Sequence, residues 1–171
     1  GVAGCRYRGV TMTQGKHSGS LGDVYAASTA TEIAEIYDRW SDTYDEYMEQ
    51  SGYRHPAICV ALLARHVPAG ALPVLDAGVG TGLIGGLMNI IGYQHIDGLD
   101  ISTGMLDRAR EKGVYRELHV ADLTQPLDLP YGNYRAIISS GVFTTGHVGS
   151  EGLHNLLGLC QTCGHIVMTV K

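Results

Sequence analysis

From residue 28 onwards, apolar and aromatic side chains recur at three- and four-residue spacing, which is the period of an amphipathic helix. The run predicts one or two short helices and comprises Ile33, Ile36, Tyr37, Trp40, Tyr44, Tyr47 and Met48. A further helix is predicted to open at Pro56, because proline is favoured in the first helical turn. Residues 1–27 are rich in Gly, Ser and Thr without a period, so we expect a flexible N-terminal tail there.

Beyond residue 73, short apolar runs alternate with helical patterns. The predicted strands are Pro73–Asp76, His95–Asp100, Arg116–Ala121, Ala136–Ser140 and His165–Val170. The predicted helices between them are Gly82–Ile91, Thr103–Lys112 and Glu151–Cys160. Strand–helix alternation at this spacing implies right-handed crossovers and a mostly parallel, doubly wound sheet. We therefore expect one α/β domain over residues 28–171, in which residues 28–70 form an N-terminal helical cap.

The composition argues against two classes of partner. The chain has 171 residues, 44% of them apolar, which is enough for one domain with a hydrophobic core. It has neither an apolar run near the roughly 18 residues of a membrane span nor a signal-peptide pattern, so we expect no membrane association. The net charge of −5 argues against binding of nucleic acid through bulk charge.

The four cysteines show no disulfide pattern, which favours a reducing, cytoplasmic setting. Cys160 and Cys163 form a lone C-x-x-C motif, and a zinc site would need two more ligands at a suitable spacing. Cys5 and Cys59 do not supply that pair. We therefore expect ordinary free thiols and no metal.

A glycine-rich loop, residues 77–82, joins the first predicted strand to the following helix. Glycines allow a tight turn and a close approach of a ligand to the backbone, and the helix N-terminus attracts a carboxylate or a phosphate. Asp76, at the end of the strand, would repel a pyrophosphate but attract an ammonium. A ligand that combines an amino-acid moiety with a nucleoside, and that carries no phosphate, satisfies both preferences.

Two further acids end the next two predicted strands. Asp100 follows Gly82 by 18 residues, the position from which an acid in a doubly wound sheet binds the ribose. Asp122 is expected near the adenine amino group, although it is equally compatible with a role as a loop cap. Three acids at three successive strand ends would line one crevice.

The glycine loop also permits a second interpretation. The segment from Gly80 to Gly85 matches G-x-G-x-x-G, and Asp100 lies where a dinucleotide site has its acid. An NAD(P)-dependent oxidoreductase is therefore an alternative, but it leaves Asp76 and Asp122 without a role, so a methyl donor is the preferred ligand.

The segments 76–82 and 98–106 together resemble motif I and its successor in class I S-adenosylmethionine-dependent methyltransferases. Three flanking segments, 37–45, 53–56 and 141–148, resemble the Williams–Beuren syndrome region methyltransferase-like proteins. The resemblance covers about residues 33–171. It implies a Rossmann-like sheet in the order 3-2-1-4-5 and S-adenosylmethionine as the cofactor.

The resemblance also implies a set of cofactor-binding residues. The methionine moiety is expected at Asp76, Ala77, Gly78, Gly80, Thr81 and Gly82, and the ribose at Asp100. The adenine is expected beside Ile101, Met105, Ala121, Asp122 and Leu123, and the sulfonium near Ser139 and Ser140. Tyr37 and Tyr44 are expected to cap the cofactor from the N-terminal helices; a packed aromatic stripe is their alternative role.

The chain departs from the family pattern in three places. Arg135 follows Tyr134 where an aromatic–Asp pair is usual, and residues 161–164 replace a Lys-Pro-Gly-Gly turn. The sequence stops at Lys171, after the fifth strand, so the usual strands 6 and 7 are expected to be lacking. An uncovered apolar fifth strand predicts self-association through that edge. These departures leave open a degenerate methyltransferase fold that acts as a cofactor-binding or interaction module without catalysis.

The sequence indicates only the chemical class of the methyl acceptor. His147, in the loop after the fourth strand, is the candidate general base; a structural hydrogen bond is its alternative role. Residues 139–142 lack the Asn/Asp-Pro-Pro-aromatic signature of enzymes that methylate exocyclic base nitrogens. We therefore expect a small-molecule acceptor and no nucleic acid.

Overall fold

A computed structural model describes residues 20–70, 72–144 and 148–171. The helices are α1 (Leu21–Ala26), α2 (Ala30–Trp40), α3 (Tyr44–Gln50), α4 (His55–His66), α5 (Leu83–Ile90), α6 (Thr103–Glu111) and α7 (Ser150–Leu159). The strands are β1 (Val74–Ala77), β2 (Ile96–Asp100), β3 (Glu117–Val120), β4 (Tyr134–Phe143) and β5 (Cys160–Val170). All neighbouring strands pair in parallel, in the order β3-β2-β1-β4-β5. This order confirms the predicted fold class.

Both faces of the sheet are covered, as a doubly wound fold requires. Along β1, Val74 belongs to the core under α4 and α5, whereas Leu75 and Ala77 belong to the core under α7. Successive side chains of a strand point to opposite faces, so a strand buried on both sides carries an apolar run. Asp76 interrupts this run and is nevertheless fully buried, which marks it as a residue with a special environment.

The N-terminal cap begins earlier than the sequence pattern indicates. Residues 21–26 form α1, whose N-cap Ser20 accepts a hydrogen bond from the amide of Asp23. Val24 is fully buried against the aromatic cluster around Trp40. The prediction of a flexible tail is therefore wrong for this segment, because a tertiary contact that local composition does not reveal orders it. Residues 1–19 of the predicted tail lie outside the described residues.

The two short helices predicted after residue 28 are α2 and α3. A capping box at Thr29 and Glu32 starts α2. Trp40 is fully buried, and its ring lies 4.9 Å from that of Tyr44 and 5.0 Å from that of Tyr47, centroid to centroid. These edge contacts make α2 and α3 one packed unit. We call this unit, residues 30–50, the lid.

The two last strands are longer than predicted. β4 runs from Tyr134 to Phe143, and β5 already begins at Cys160. Their register shifts between the pairs Tyr134–Cys160 and Ala136–His165, so β5 carries a bulge. Cys163, inside this bulge, has φ +61°, and its carbonyl accepts a hydrogen bond from the guanidinium of Arg135. The predicted turn at residues 161–164 is thus this bulge within β5, and Arg135 stabilises it.

Within the described ranges, no helix combines the length and the apolar character needed to cross a bilayer.

Candidate functional site

A cavity of about 250 Å³ lies where the carboxyl ends of β1, β2, β3 and β4 meet the lid. Of the predicted site residues, those that line it are Tyr37, Tyr44, Gly78, Gly80, Asp100, Ile101, Met105, Ala121, Asp122, Leu123 and Ser140. Five others, Asp76, Ala77, Thr81, Gly82 and Ser139, are buried and do not line it. Parallel strands bring their carboxyl ends to one edge of the sheet, which places ligands there.

The glycines of the loop serve different purposes. Gly78, Gly80 and Gly82 have φ of +82°, +54° and +87°, which L side chains rarely adopt. A Cβ on Gly78 would lie 2.1 Å from Cγ2 of Val142, so packing against β4 requires this glycine. A Cβ on Gly80 would meet no atom of the described residues within 4 Å. Because Gly80 lines the cavity, this open space is available to a ligand.

Asp100 is held at the cavity wall by the backbone. Its Oδ2 accepts a hydrogen bond from the amide of Gly80 at 2.8 Å, and its Oδ1 accepts one from the amide of Ser102 at 2.9 Å. Burial raises the pKa of Asp100, and these backbone donors act in the opposite direction. A carboxylate oxygen can accept more than one hydrogen bond, so Asp100 can still accept from hydroxyl groups of a ligand.

Asp76 lies in a different environment from Asp100. Its Oδ2 accepts a hydrogen bond from the hydroxyl of Tyr115 at 2.7 Å, whereas its buried Oδ1 has no hydrogen-bond partner among the residues that the structure describes. Burial raises the pKa of Asp76 to about 7, despite the opposing hydrogen bond from Tyr115. An orphaned buried carboxylate oxygen is rare and calls for an explanation.

Tyr115 is a residue that the sequence analysis missed. Its hydroxyl donates to Asp76 and accepts from the amide of Gly85 at 3.1 Å. Burial, followed by the nearby Asp76 carboxylate, raises the pKa of Tyr115, so the phenol keeps its proton. A Cβ on Gly85 would lie 2.3 Å from Cζ of this ring. A glycine in the interior of a helix is the sequence signal that could have indicated such a close neighbour.

Asp122 caps its own loop and also lies at the cavity wall. It lines the cavity, and its Oδ1 accepts from both the amide and the hydroxyl of Thr124, each at 2.8 Å. The prediction of a loop cap is therefore correct. The side chain that forms the cap also lies at the cavity wall, just after the end of β3.

The two lid tyrosines lie between the cavity and the aromatic cluster of the lid. Tyr37 and Tyr44 line the cavity, and they also pack around Trp40 as an aromatic cluster. Burial raises the pKa of both phenols, so they remain protonated. The start of α2 completes the wall with Ser28, Thr29, Ala30 and Ile33. The sequence did not indicate these four, because only the docking of the lid brings them to the cavity.

The two serines of β4 differ in their surroundings. Ser139 is buried and donates a hydrogen bond to the carbonyl of Ala77 at 2.6 Å, which ties β4 to β1. Ser140 lines the cavity, and its hydroxyl lies 3.0 Å from that of Tyr53. The other wall residues that the sequence did not indicate are Leu99, Thr124, Gly141, Val142 and Val148. His147, the candidate base, lies outside the described residues.

The comparisons with known proteins agree with this geometry. Residues 74–163, more than half of the chain, match the family described as "Methyltransferase domain". Human methyltransferase-like protein 27 is 32% identical over an alignment of 152 residues, which covers 82% of this chain and 62% of that protein. The chain thus spans less than two thirds of that relative's length.

Two solved structures share the fold. A methyltransferase of Haloferax volcanii, solved in complex with the methyltransferase activator Trm112, has a TM-score of 0.67 at 20% identity, covering 81% of this chain and 60% of that one. Magnesium protoporphyrin IX methyltransferase of Synechocystis, solved with bound S-adenosylhomocysteine, has a TM-score of 0.60 at 23% identity, covering 77% and 68%. The chain belongs to the methyltransferase-domain family and has the fold of the class I S-adenosylmethionine-dependent methyltransferases.

Proposed function

We propose that the cavity binds S-adenosylmethionine and that the protein transfers its methyl group to a small molecule. One observation carries the proposal: the carboxylate of Asp100 is fixed by two backbone amides at the wall of a cavity, beside a glycine whose Cβ direction is open. A hydroxyl-bearing ligand that approaches the backbone closely suits this arrangement.

The side chains present fit the methyl donor. Asp100 would accept from the ribose hydroxyls, and Met105 and Ile101 offer an apolar surface to the adenine. Asp76 lies behind the cavity wall, and in its ionised form its Oδ1 would attract the ammonium of a donor bound over the glycine loop.

The G-x-G-x-x-G match no longer requires a dinucleotide. A Cβ on Gly85 would lie 2.3 Å from the ring of Tyr115, and one on Gly82 would lie 3.1 Å from it. Packing against Tyr115 therefore accounts for both glycines without a pyrophosphate. This weakens the NAD(P) hypothesis further.

When bound, S-adenosylmethionine supplies a methyl group on a sulfonium, which is already a reactive electrophile. The protein then has to orient donor and acceptor and to exclude water; such positioning can contribute roughly 7–11 kcal/mol. Tyr37 and Tyr44 would exclude water from the lid side. Ser140, held by Tyr53, lies at the β4 wall and can donate to or accept from a polar acceptor molecule. We retain His147 as the proposed base for acceptors that must lose a proton.

A non-catalytic cofactor-binding module is the second candidate. Arg135, in the position where the family has an acid, is used to hold the β5 bulge through the carbonyl of Cys163. Arg135 therefore has a structural role in β5 and does not line the cavity. Its presence in place of the usual acid does not by itself favour the non-catalytic module.

Calorimetry and a transfer assay separate these functions. We expect S-adenosylhomocysteine and S-adenosylmethionine to bind and to raise the melting temperature, and NAD to do neither, since a ligand specific for the native state stabilises it. Methyl transfer from labelled donor to members of a small-molecule panel would distinguish an enzyme from a binding module. Stabilisation by NAD alone would contradict the proposal.

A further inference from the structure

The lid carries the dipeptide Tyr-Asp twice, at residues 37–38 and again at residues 44–45. In both copies the tyrosine lines the cavity. In both copies the aspartate forms hydrogen bonds with one of the two loops on which the proposed donor site is built.

The first aspartate binds the loop after β2. Oδ1 of Asp38 accepts from the hydroxyl of Ser102 at 2.5 Å and from the amide of Gly104 at 2.8 Å. A Cβ on Gly104 would lie 3.0 Å from Cα of Asp38, so the two backbones approach closely. Ser102 is fully buried, and its amide donates to Asp100. Asp38 thus holds the same turn that holds the ribose-side carboxylate.

The second aspartate binds the glycine loop. Oδ1 of Asp45 accepts from the hydroxyl of Thr81, and its Oδ2 lies 3.0 Å from Nζ of Lys112. Thr81 is 2% exposed and stands between Gly80 and Gly82. Its hydroxyl is therefore directed to the lid rather than to the cavity, which explains why this predicted site residue does not line the cavity.

We infer that Asp38 and Asp45 are positioning residues that couple the docking of the lid to the shape of the two donor loops. The coupling to the donor rests on the proposed function. Binding of the donor would order both loops and so favour the docked lid, and the docked lid would strengthen donor binding by the same factor, because such linkage is reciprocal.

Trp40 makes the docking measurable. It is the single tryptophan of the chain and is fully buried within the lid cluster. Quenching of its fluorescence by acrylamide therefore reports lid opening, and calorimetry with S-adenosylhomocysteine reports the donor site. The double variant Asp38→Ala/Asp45→Ala removes both acceptors. The double variant Asp38→Asn/Asp45→Asn keeps an acceptor oxygen at each position.

The matched control is Asp42→Ala. Asp42 lies in the same lid, but its partner Arg108 is 41% exposed, whereas Thr81 and Ser102 are buried. Such a surface pair contributes little, so this variant should behave as the unsubstituted chain in both measurements.

We expect the double alanine variant to bind S-adenosylhomocysteine about ten-fold or more weakly, and to show increased quenching of Trp40 that saturating ligand reverses. The asparagine variant should stay within about three-fold of the unsubstituted chain. Unchanged quenching and affinity in the folded alanine variant would overturn the inference. If that variant does not fold, Thr81→Val, which removes one hydroxyl at nearly constant shape, should shift both measurements in the same direction, and its failure to do so would equally overturn the inference.

The two proposals fail separately. If the unsubstituted chain does not bind S-adenosylhomocysteine, the proposed function falls and the coupling to the donor falls with it. If it binds and the alanine variant binds equally well, only the role of the two aspartates is rejected.

Discussion

Burial and hydrogen bonding act in opposite directions on the carboxyl group of Asp76. Asp76 is fully buried and accepts one hydrogen bond, from Tyr115, while its second oxygen has no partner in the described part of the chain. Burial disfavours the charged form, so the pKa of Asp76 rises to about 7. Near neutral pH the folded chain therefore contains both protonated and ionised Asp76, and an ammonium group at this site would favour the ionised form.

The raised pKa of Asp76 predicts a pH dependence of stability. An unfolded aspartate loses its proton near pH 4, at about 3.9, whereas folded Asp76 loses it at about 7. Between these values the folded state binds more protons, so the free energy of unfolding should fall as the pH rises. Asp76→Asn should reduce this slope, measured as Tm from about pH 5 to about pH 7.5.

Part of the slope should survive in that variant, because burial also raises the pKa of Asp100. Asp128→Asn, at an exposed position, is the control and should leave the slope unchanged. An unaltered slope in Asp76→Asn would show that this carboxyl group is not the one that titrates.

Asp100 should contribute directly to donor affinity. Hydrogen bonds to a charged group are worth about 1.5–3 kcal/mol. Asp100→Ala should therefore weaken binding of S-adenosylhomocysteine by roughly ten- to a hundred-fold in calorimetry. Asp107→Ala changes an exposed aspartate of α6 that pairs with Arg110 at the surface, and should bind normally. Unchanged affinity in a folded Asp100→Ala protein would remove this residue from the site.

Gly80 allows a test of backbone access to the ligand. Gly80→Val should abolish binding of S-adenosylhomocysteine, because the new side chain enters the open space at the cavity wall. The positive φ of +54° adds strain, of about 1–3 kcal/mol. The matched control is Gly113→Val, which has φ +64° and open surroundings but lies outside the cavity wall.

Both valine variants should lose comparable stability in thermal unfolding, and only Gly80→Val should lose the ligand. Normal binding by Gly80→Val would mean that the ligand does not lie over this loop.

At the scale of elements, α5 contains two adjacent glycines that differ in the space available for a side chain. A Cβ on Gly85 would overlap the ring of Tyr115, whereas one on Gly86 would meet nothing within 4 Å. Gly85→Ala should therefore destabilise the protein by about 1–3 kcal/mol, as overpacking does. Gly86→Ala should stabilise it by up to about 1 kcal/mol, through helix propensity. Urea unfolding of the two variants measures the change in the free energy of unfolding for each. Equal changes in both variants would contradict the packing role of Tyr115.

The element boundaries show which local signals suffice. Pro56 is the second residue of α4, one position later in the helix than predicted, and its fixed φ and missing N–H still suit the first turn. α1 was missed because Val24 is ordered by the distant Trp40 cluster. β5 starts five residues before the predicted His165, because Arg135 and β4 hold a bulge in place. Neither the Trp40 cluster that orders α1 nor the Arg135 that holds the bulge lies within the local sequence window of the element it stabilises.

At the scale of the whole molecule, β5 borders the described sheet. It pairs with β4, and Val170 near its end is 75% exposed. An apolar edge strand offers unpaired backbone groups to another chain. We predict that the polypeptide of residues 1–171 associates as its concentration rises, and that Val170→Lys reduces this association. Sedimentation at several concentrations measures it, and a monodisperse monomer throughout would contradict the prediction.

The sequence alone was sufficient for the alternation of strands and helices and for the positions of Asp100 and the glycine loop. These depend on local periodicity and on the rule that parallel strands place their carboxyl ends together. The resemblance to the class I family supplied the sheet order and the sixteen predicted binding residues, of which eleven line the cavity.

Only the tertiary structure decided the remaining assignments. Thr81 faces Asp45 of the lid, Ser139 faces the carbonyl of Ala77, and Tyr115 holds Asp76. These partners lie 36, 62 and 39 residues apart in the chain. A motif identifies which residues reach the end of a strand, but the orientation of a side chain depends on what packs against it, and that information is distributed over distant segments of the chain.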